Sequence, residues 1–169
     1  MFAPWNASWS AENDYEVRPC RWAGGKLAMW SPHRPGDGKP IFAKPHMVRQ
    51  RRSIAELRCT VCGEKVGPGY YDRWWFGLGN RNVAGLAFVT TEAPVHHDCA
   101  AKAMVYCPHL RALGVVPEPM PQWDAVISGT VGGPATEQDF GIDLRGRAVI
   151  GHLKLAWRRM PDLPRAKSR

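Results

Sequence analysis

The chain of 169 residues has no apolar run of the length that a membrane-spanning helix needs, about 18 residues. Its N-terminal residues, Met1 to Trp5, lack a basic stretch followed by an apolar one, so we expect no signal peptide there. Acidic residues are fewer than basic ones, 15 against 23, which gives a net charge of +8. The chain has five cysteines, and they fit a reducing cytoplasm better than a disulfide scaffold. The composition therefore predicts a cytoplasmic protein without a membrane span.

Two further absences narrow the possible architectures. No internal repeat is found, and Gly36-Asp37-Gly38-Lys39 lacks the frame of a phosphate-binding P-loop. The chain is rich in Pro (15 residues) and Gly (17 residues), which predicts many turns and short elements. Apolar residues make up 44% of the sequence, enough for the core of one domain with extensions.

Two pairs of metal-type residues frame the centre of the chain. The first pair is Cys59 and Cys62, followed directly by Gly63, and the second is His96 and Cys99. Each pair has two residues between its members, and 33 residues separate the pairs. This spacing is typical of a site in which four protein ligands bind one Zn²⁺. The sequence therefore predicts that zinc holds the middle of the chain together.

Local geometry supports these four ligands. Cys-x-x-Cys-Gly forms a tight knuckle in which both thiolates point at one ion, and Gly63 can take the positive φ of the turn. The second pair meets the start of a helix, with Asp98 in the first turn and strong helix formers after it. His96 and Cys99 share a helix face because they are three residues apart, whereas His97 and Cys99 diverge. His97 is therefore the less favoured alternative.

The remaining cysteine and histidine candidates are weaker. Cys107 lies eight residues beyond Cys99, which is about 12 Å along a continuous helix and too far to share one ion. We expect Cys107 to be buried as a small apolar residue and His109 to lie near the last carbonyls of that helix. A redox-active Cys-x-x-Cys is the other alternative, but the Gly-Pro-Gly turn and aromatic run that follow do not fit it.

The predicted fold class is α+β. A knuckle, a β-hairpin and a helix whose first turn supplies the second ligand pair would form a small treble-clef-like zinc domain. We divide the chain into four parts: 1–45, an irregular and β-hairpin N-terminal extension; 46–113, the zinc-binding core; 114–160, a strand and a helix that pack on the core; and 161–169, a disordered basic tail.

Hydrophobic patterns place the elements within these parts. The N-terminal part is predicted to contain a hairpin, and an amphipathic helix is predicted to lead into the knuckle. The aromatic run 70–76 is predicted to be the first strand of the inserted hairpin, and its rings are expected to pack in the core. The predicted elements are strands at 16–21 and 26–30, a helix at 46–58, strands at 70–76 and 86–91 with a turn at 77–82, a linker at 111–122, a strand at 123–131, a loop at 132–141 and a helix at 148–160. The pattern of 148–160 also fits a strand, but its length and the stop at Pro161 favour the helix.

Positive charge is concentrated near the C-terminus. Residues 145–169 contain eight basic residues and one acid, a net charge of +7, whereas residues 1–144 have a net charge of +1. A phosphate-binding surface would draw on this tail and on the basic cluster of the helix before the knuckle. The candidate nucleic-acid contacts are Arg49, Arg51, Arg52, Arg158, Arg159, Arg165 and Lys167. The alternative is that these residues only solvate the surface or pair with carboxylates.

Several segments together resemble a family of small zinc-finger proteins of actinobacteria and their phages. The segments are Gly36 to Phe42, Arg49 to Arg52, Cys59 to Gly63, Pro94 to Cys99 and Cys107 to Leu110, and the resemblance covers roughly residues 36–113. In those relatives the second pair is usually two cysteines, whereas this chain has His96 in the first position of that pair. The resemblance implies a metal, a bacterial cytoplasm and a phage or prophage origin, and it implies no activity.

Three hypotheses for the function follow. The first is a non-enzymatic zinc module that docks on a host nucleic acid or protein. The second is an HNH-type treble-clef nuclease, for which Asp72, Asn80, Asn82 and the pair His97-Asp98 are the candidate residues. The absence of a His between Cys62 and His96 counts against this hypothesis, because such enzymes place a His base on the hairpin. The third is a phage factor that binds and inhibits a host enzyme without nucleic acid.

Overall fold

A computed structural model describes residues 2–166, and this part of the chain has a mixed α+β architecture. It contains strands β1 (Ala7–Trp9), β2 (Glu16–Pro19), β3 (Leu27–Trp30), β4 (Pro40–Pro45), β5 (Trp74–Trp75), β6 (Asn80–Val83), β7 (Leu86–Thr90), β8 (Glu118–Pro119), β9 (Ala125–Val131) and β10 (Val149–Trp157). Its α-helices are α1 (Met47–Ala55), α2 (His97–Tyr106), α3 (Pro108–Leu113) and α4 (Pro134–Phe140). Among the described residues, none of these helices has the length and apolar character needed to cross a membrane.

Strand β10 is the centre of the main sheet. It pairs in parallel with β3 and antiparallel with β7 and β9, and the sheet continues to β2 and β6 at its ends. Seven of its nine residues are buried, among them Leu153, Leu155 and Trp157. The helix predicted at 148–160 is therefore wrong. A strand buried on both faces has almost continuous apolar character, so its apolar residues also fit a helical spacing.

The inserted hairpin also differs from the prediction. It consists of β6 and β7, joined by a tight turn in which Ala84 and Gly85 both have positive φ. The segment predicted as its first strand instead forms a short 3-10 helix, Tyr70–Asp72, and then β5, which pairs with β8. The predicted turn at 77–82 thus overlaps the first strand of the true hairpin.

Helix α4 lies within the segment 132–141 that the sequence predicts to be a loop. Pro134 occupies the first turn of this helix, and Gly141 ends it with a left-handed φ of 64°. These are ordinary helix start and stop residues, because Pro tolerates the first turn and Gly adopts the left-handed conformation freely. The high Gly and Pro content of 132–141 indicated a loop, so the short helix was not predicted. The β2–β3 hairpin, helix α1 and strand β9 do lie where the sequence predicts them.

Both ends of the described chain are attached to its middle. At the N-terminal end, the backbone amides of Trp5 and Asn6 donate to the carbonyls of Val61 and Thr60, at 2.9 and 3.0 Å. At the other end, Leu163 packs against the apolar residues around Trp75, and Ala166 forms a bridge with Val115. Residues 161–166 are thus part of the fold, in contrast to the predicted disordered tail, and Lys167 lies outside the described residues.

Helix α1 is buried through polar side chains rather than through an apolar stripe. Arg49 and Arg51 are each 1% exposed. The Arg51 guanidinium donates to the carbonyl of Gly151, at 2.7 Å, and to that of Met29. Gln50 bonds both the N–H and the carbonyl of Leu153. The helix therefore supplies hydrogen-bond partners to the sheet backbone, and Arg49 and Arg51 do not form the phosphate contacts that the sequence predicts.

Arg49 forms a buried ion pair with Glu12. Its two terminal nitrogens lie 2.7 Å from the two carboxylate oxygens, and the backbone amides of Trp9 and Arg34 donate to the same carboxylate at 2.8 Å. The second nitrogen also donates to the carbonyl of Ala7. These hydrogen bonds and the charge of Arg49 offset the free-energy cost of removing the Glu12 carboxylate from water. The pair joins the N-terminal segment to α1.

His46 caps α1 beside this ion pair and gives a pH-dependent prediction. Its Nδ1 accepts from the amide of Arg49, and its Nε2 lies 2.9 Å from the carbonyl of Pro32. Burial, followed by the charge of Arg49, lowers the pKa of His46 from 6.5 to about 4. Between these two pH values the unfolded chain binds the proton and the folded chain does not. The stability that neutral His46 provides is therefore complete above pH 6.5 and is lost as the pH falls to 4.

We expect the free energy of unfolding to depend less on pH in the His46→Asn variant. Asn caps a helix well and does not titrate. The other charged groups near position 46, Arg49, Glu12 and His33, are present in both proteins, so their effects on stability cancel in the comparison. The stability difference between the wild type and this variant should shrink by roughly 2 to 3 kcal/mol between pH 6.5 and 4. Urea denaturation of both proteins across this range measures it. A difference that does not change with pH would contradict the prediction.

Candidate metal centre

The first ligand pair lies on a short knuckle that the backbone closes tightly. The amide of Gly63 donates to the carbonyl of Cys59, and the amide of Cys59 donates to the carbonyl of Glu64, both at 2.8 Å. Gly63 has a backbone φ of 81°, which residues other than glycine rarely adopt. A Cβ added there would also lie 2.7 Å from the ring of Trp5. The turn and the docked N-terminal segment therefore both require glycine at this position.

The second pair is positioned by a short bridge and by the start of α2. Trp74 and Val95 exchange two backbone hydrogen bonds, of 2.8 and 2.9 Å, and this fixes the chain just before the helix. His96 is the N-cap of α2, and Cys99 lies in its first turn. As predicted from the spacing of three residues, both side chains point toward the knuckle.

The four predicted ligands come together in one cluster. The ligand atoms of Cys59, Cys62, His96 and Cys99 all lie within 4.8 Å of one another. The Nδ1 atom of His96 lies 3.4 Å from the sulfur of Cys62 and 3.9 Å from that of Cys99. Tetrahedral zinc, with bonds of about 2.0 Å to nitrogen and 2.3 Å to sulfur, places such a pair roughly 3.6 Å apart. The cluster could therefore hold a metal ion, and its spacing fits zinc.

The imidazole of His96 is oriented from its far side. Its Nε2 atom lies 3.0 Å from the carbonyl of Lys65, an acceptor that holds the proton on Nε2. Nδ1 is then unprotonated and directed at the cysteine sulfurs. Metal-binding histidines are commonly held in this way by a backbone carbonyl. The knuckle thus contributes an orienting group in addition to its two thiols.

The three thiols of the cluster are crowded, and two of them are shielded from water. Cys59 is fully buried and Cys99 is 9% exposed, whereas Cys62 is exposed. Burial, followed by the neighbouring Cys59, raises the pKa of Cys99 to about 12, and burial also raises the pKa of Cys59. Three sulfurs at this separation repel one another as thiolates. A divalent cation is the charge that stabilises them in that form, so the donor set fits Zn²⁺.

The other cysteine and histidine candidates lie outside the cluster. His97 is on the surface, where its ring packs against Trp74 with centroids 4.5 Å apart and bonds Asp98. Cys107 is half-buried and packs against the apolar residues around the knuckle, as expected for a small apolar residue. His109 is exposed on α3, a separate helix that the sequence does not predict.

The candidate nuclease residues are only partly brought together. Asp72, His97 and Asp98 line a shallow depression of about 240 Å³ beside His96, whereas Asn80 and Asn82 lie on strand β6. Asp72 accepts a hydrogen bond from the amide of Gly69 at 2.9 Å. Within residues 2–166, the four-residue cluster is the one group of metal-type side chains close enough to bind an ion. The depression therefore offers no second metal site in the described part of the chain.

The other arginines predicted as nucleic-acid contacts, within the described residues, are at least partly exposed and lie in two different settings. Arg52 is 33% exposed and pairs with Glu56, which also accepts from Trp22 and Arg58. Burial alone would raise the pKa of Glu56, but hydrogen bonds from Arg58, Trp22 and Arg52 lower it to about 2. The predicted contacts Arg158, Arg159 and Arg165 are exposed and lie close to one another.

Arg81 is an exposed arginine near these residues that was not among the predicted contacts. Arg81, on strand β6, lines the same depression as Arg165. Its neighbours in the sequence, Asn80 and Asn82, are uncharged, so no cluster of basic residues marked Arg81 as a candidate.

Comparison of the chain with protein-family models, with curated proteins and with solved structures finds no match. The resemblance to the zinc-finger family of actinobacteria and phages thus stays a prediction.

Proposed function

We propose that this protein is a non-enzymatic binding module built around one structural Zn²⁺. The observation that supports the proposal is the closed set of four protein ligands, Cys59, Cys62, His96 and Cys99. Catalytic zinc sites leave one position open for water or substrate, whereas structural sites fill all four with side chains. The ion would fasten the knuckle to the start of α2, two parts of the chain that the buried apolar residues around Val61 and Ala100 also join.

The order of elements supports a treble-clef-like arrangement. The knuckle comes first, the β6–β7 hairpin follows, and α2 supplies the second ligand pair from its N-cap and first turn. We include this arrangement in the proposal, together with the phage setting and bacterial cytoplasm that the family resemblance implies. A reducing compartment would keep the three cysteines available as ligands.

We further propose that the module docks on nucleic acid through four exposed arginines, which we call the arginine surface. Arg81 and Arg165 line one depression, and Arg158 and Arg159 line the next. Both depressions share Met160 and Pro161, so the four side chains surround one short segment. Carboxylates of Glu118, Asp124 and Asp162 lie among them, which makes the surface mixed rather than uniformly positive.

The placement of these arginines suits phosphate contacts. The Asp124 carboxylate accepts a hydrogen bond from the backbone amide of Arg158 at 2.6 Å, so this contact leaves the Arg158 guanidinium free. Arginine binds phosphate through two parallel hydrogen bonds, and its guanidinium is more weakly hydrated than the ammonium group of lysine. The surface therefore offers sequence-independent contacts to a nucleic-acid backbone.

The test measures binding to a labelled DNA duplex, and separately to RNA, over a range of salt concentrations. We expect Arg158→Gln/Arg159→Gln to weaken duplex binding by about tenfold at low salt and to reduce the slope of log K against log salt by about 1.8. The control Arg34→Gln/Lys39→Gln removes the same charge from the exposed loop before β4 and should leave the slope unchanged. Equal losses of duplex affinity in both double variants would show that binding follows the net charge of the protein rather than the arginine surface.

Substitution is a cleaner test here than shortening the chain at Met160. A shortened chain would lose the packing of Leu163, the contact of Pro164 with Gly77 and the bridge at Ala166. If the wild-type protein binds neither DNA nor RNA at low salt, the nucleic-acid proposal is wrong. A protein partner then becomes the better candidate, and the exposed Tyr70 and Tyr71 near the metal centre are the feature that favours it.

A further inference from the structure

A second potential binding site lies in a cleft where seven parts of the chain meet, among them the end of β4 at Pro45 and the connection between β5 and β6 at Leu78. The cleft has a volume of about 440 Å³, and its other walls come from the N-terminal segment, α1, the knuckle, the connection between β7 and α2, and β10. Pro45, Met47 and Leu78 give it a largely apolar wall. Small-molecule sites have volumes in this range and combine apolar walls with a few polar groups.

Glu92 supplies the one carboxyl group of this cleft. Its two oxygens accept from the backbone amides of Phe76 and Leu78, the latter at 3.0 Å. These bonds fix the carboxyl group in place, and each oxygen keeps a second lone pair. Neither a lysine nor an arginine lines the cleft, and Glu92 makes no ion pair with any residue in 2–166. Burial raises the pKa of Glu92 to about 7, as expected of a carboxyl group that has no cationic partner.

His152, from β10, faces the same cleft. The strand carries an irregularity between Ile150 and His152, and a Cβ on Gly129 would lie 2.2 Å from the imidazole. The absence of a side chain at Gly129 therefore makes room for the ring. Burial, followed by the charges of Lys154 and Arg51, lowers the pKa of His152. The imidazole is neutral near pH 7 and does not repel a cation.

We propose that this cleft binds a small organic amine. Its ammonium group would pair with the Glu92 carboxylate, and its apolar body would lie against Met47 and Leu78. The site is separate from the arginine surface, and the inference does not depend on nucleic-acid docking. An amine fits because it provides the counter-charge that the chain itself omits, whereas an anion would meet Glu92 without any basic partner.

Benzylamine and benzyl alcohol test the proposal, because they share one apolar body and differ in charge. Binding is followed by chemical-shift changes of the zinc-loaded protein at a pH of about 8, where Glu92 and the amine are both charged. We expect benzylamine to bind at least about tenfold more tightly than the alcohol. Equal affinities, or no shift with benzylamine at about 10 mM, would overturn the proposal.

Two leucine-to-lysine variants, one at the rim of the cleft and one outside it, provide a matched comparison. Leu78 is 36% exposed, so replacing its side chain leaves the core intact. Leu78→Lys places a tethered ammonium group near Glu92 and should weaken benzylamine binding by at least about tenfold. Leu27→Lys makes the same change at a leucine that is 38% exposed and lies outside the cleft, and it should bind benzylamine within about threefold of the wild type. Unchanged binding by Leu78→Lys would show that the amine binds elsewhere and would refute the assignment.

Discussion

Replacing Cys59 by Ser is expected to release the metal and to unfold the knuckle. Cys59 is fully buried at the centre of the four-residue cluster, so a weakly binding hydroxyl would replace a thiolate where no water can substitute. Structural zinc contributes on the order of 10 kcal/mol to the folding of a small domain. We expect elemental analysis to give one zinc per wild-type chain and far less for the variant. Urea denaturation should show a large loss of stability.

Cys107→Ala is the matched control for this experiment. It also removes a cysteine that packs near the knuckle, but the thiol lies outside the cluster. We expect it to keep one zinc per chain and to lose roughly 1 to 3 kcal/mol of stability from altered packing. A Cys59→Ser protein that retains its zinc, a Cys107→Ala protein that loses it, or a wild-type content of two ions would each contradict the ligand assignment.

Glu12→Gln is expected to destabilise the protein by roughly 3 to 5 kcal/mol. The substitution keeps the shape of the side chain but leaves the Arg49 guanidinium, 1% exposed, without its counter-charge. The double variant Glu12→Gln/Arg49→Met removes both charges, and its loss should be smaller than the sum of the two single losses by about 2 kcal/mol or more. Urea denaturation of the four proteins measures this coupling energy.

The exposed pair Glu16 and Arg18 is the control for the buried one. Their side chains are 44% and 50% exposed, so water and salt screen the attraction. Glu16→Gln should therefore cost less than about 1 kcal/mol. If Glu12→Gln costs no more than Glu16→Gln, the buried pair does not couple the N-terminal segment to α1 in the way that its geometry suggests.

The metal ligands could be predicted from the sequence because the information is local. Two residues between Cys59 and Cys62 define a knuckle, and a spacing of three from His96 to Cys99 places both on one face of a helix start. The hydrogen bond from His96 to the carbonyl of Lys65 was not predictable, since it depends on how the two halves of the site approach each other.

The strand β10 and the buried arginines were mispredicted because their partners are distant in the sequence. Glu12 lies 37 residues before Arg49, and the Gly151 carbonyl lies 100 residues after Arg51. A cluster of arginines on a short helix is ordinarily solvent-facing, and only the tertiary fold shows that these two serve the core. Likewise, the segment that became β10 is so apolar that its own pattern does not distinguish a strand from a helix.

The position of β10 in the sequence has a consequence for the order of folding. Its neighbours β3, β7 and β9 all precede it, and the most distant of them, β3, ends at Trp30. During synthesis these strands leave the ribosome before β10, so their apolar faces and unpaired edges stay exposed until β10 has been made. Long-range pairing of this kind slows folding and exposes a chain to aggregation. The knuckle and α2 are closer in sequence and can form earlier, so we expect the supply of the proposed zinc ion to affect folding yield as well as stability.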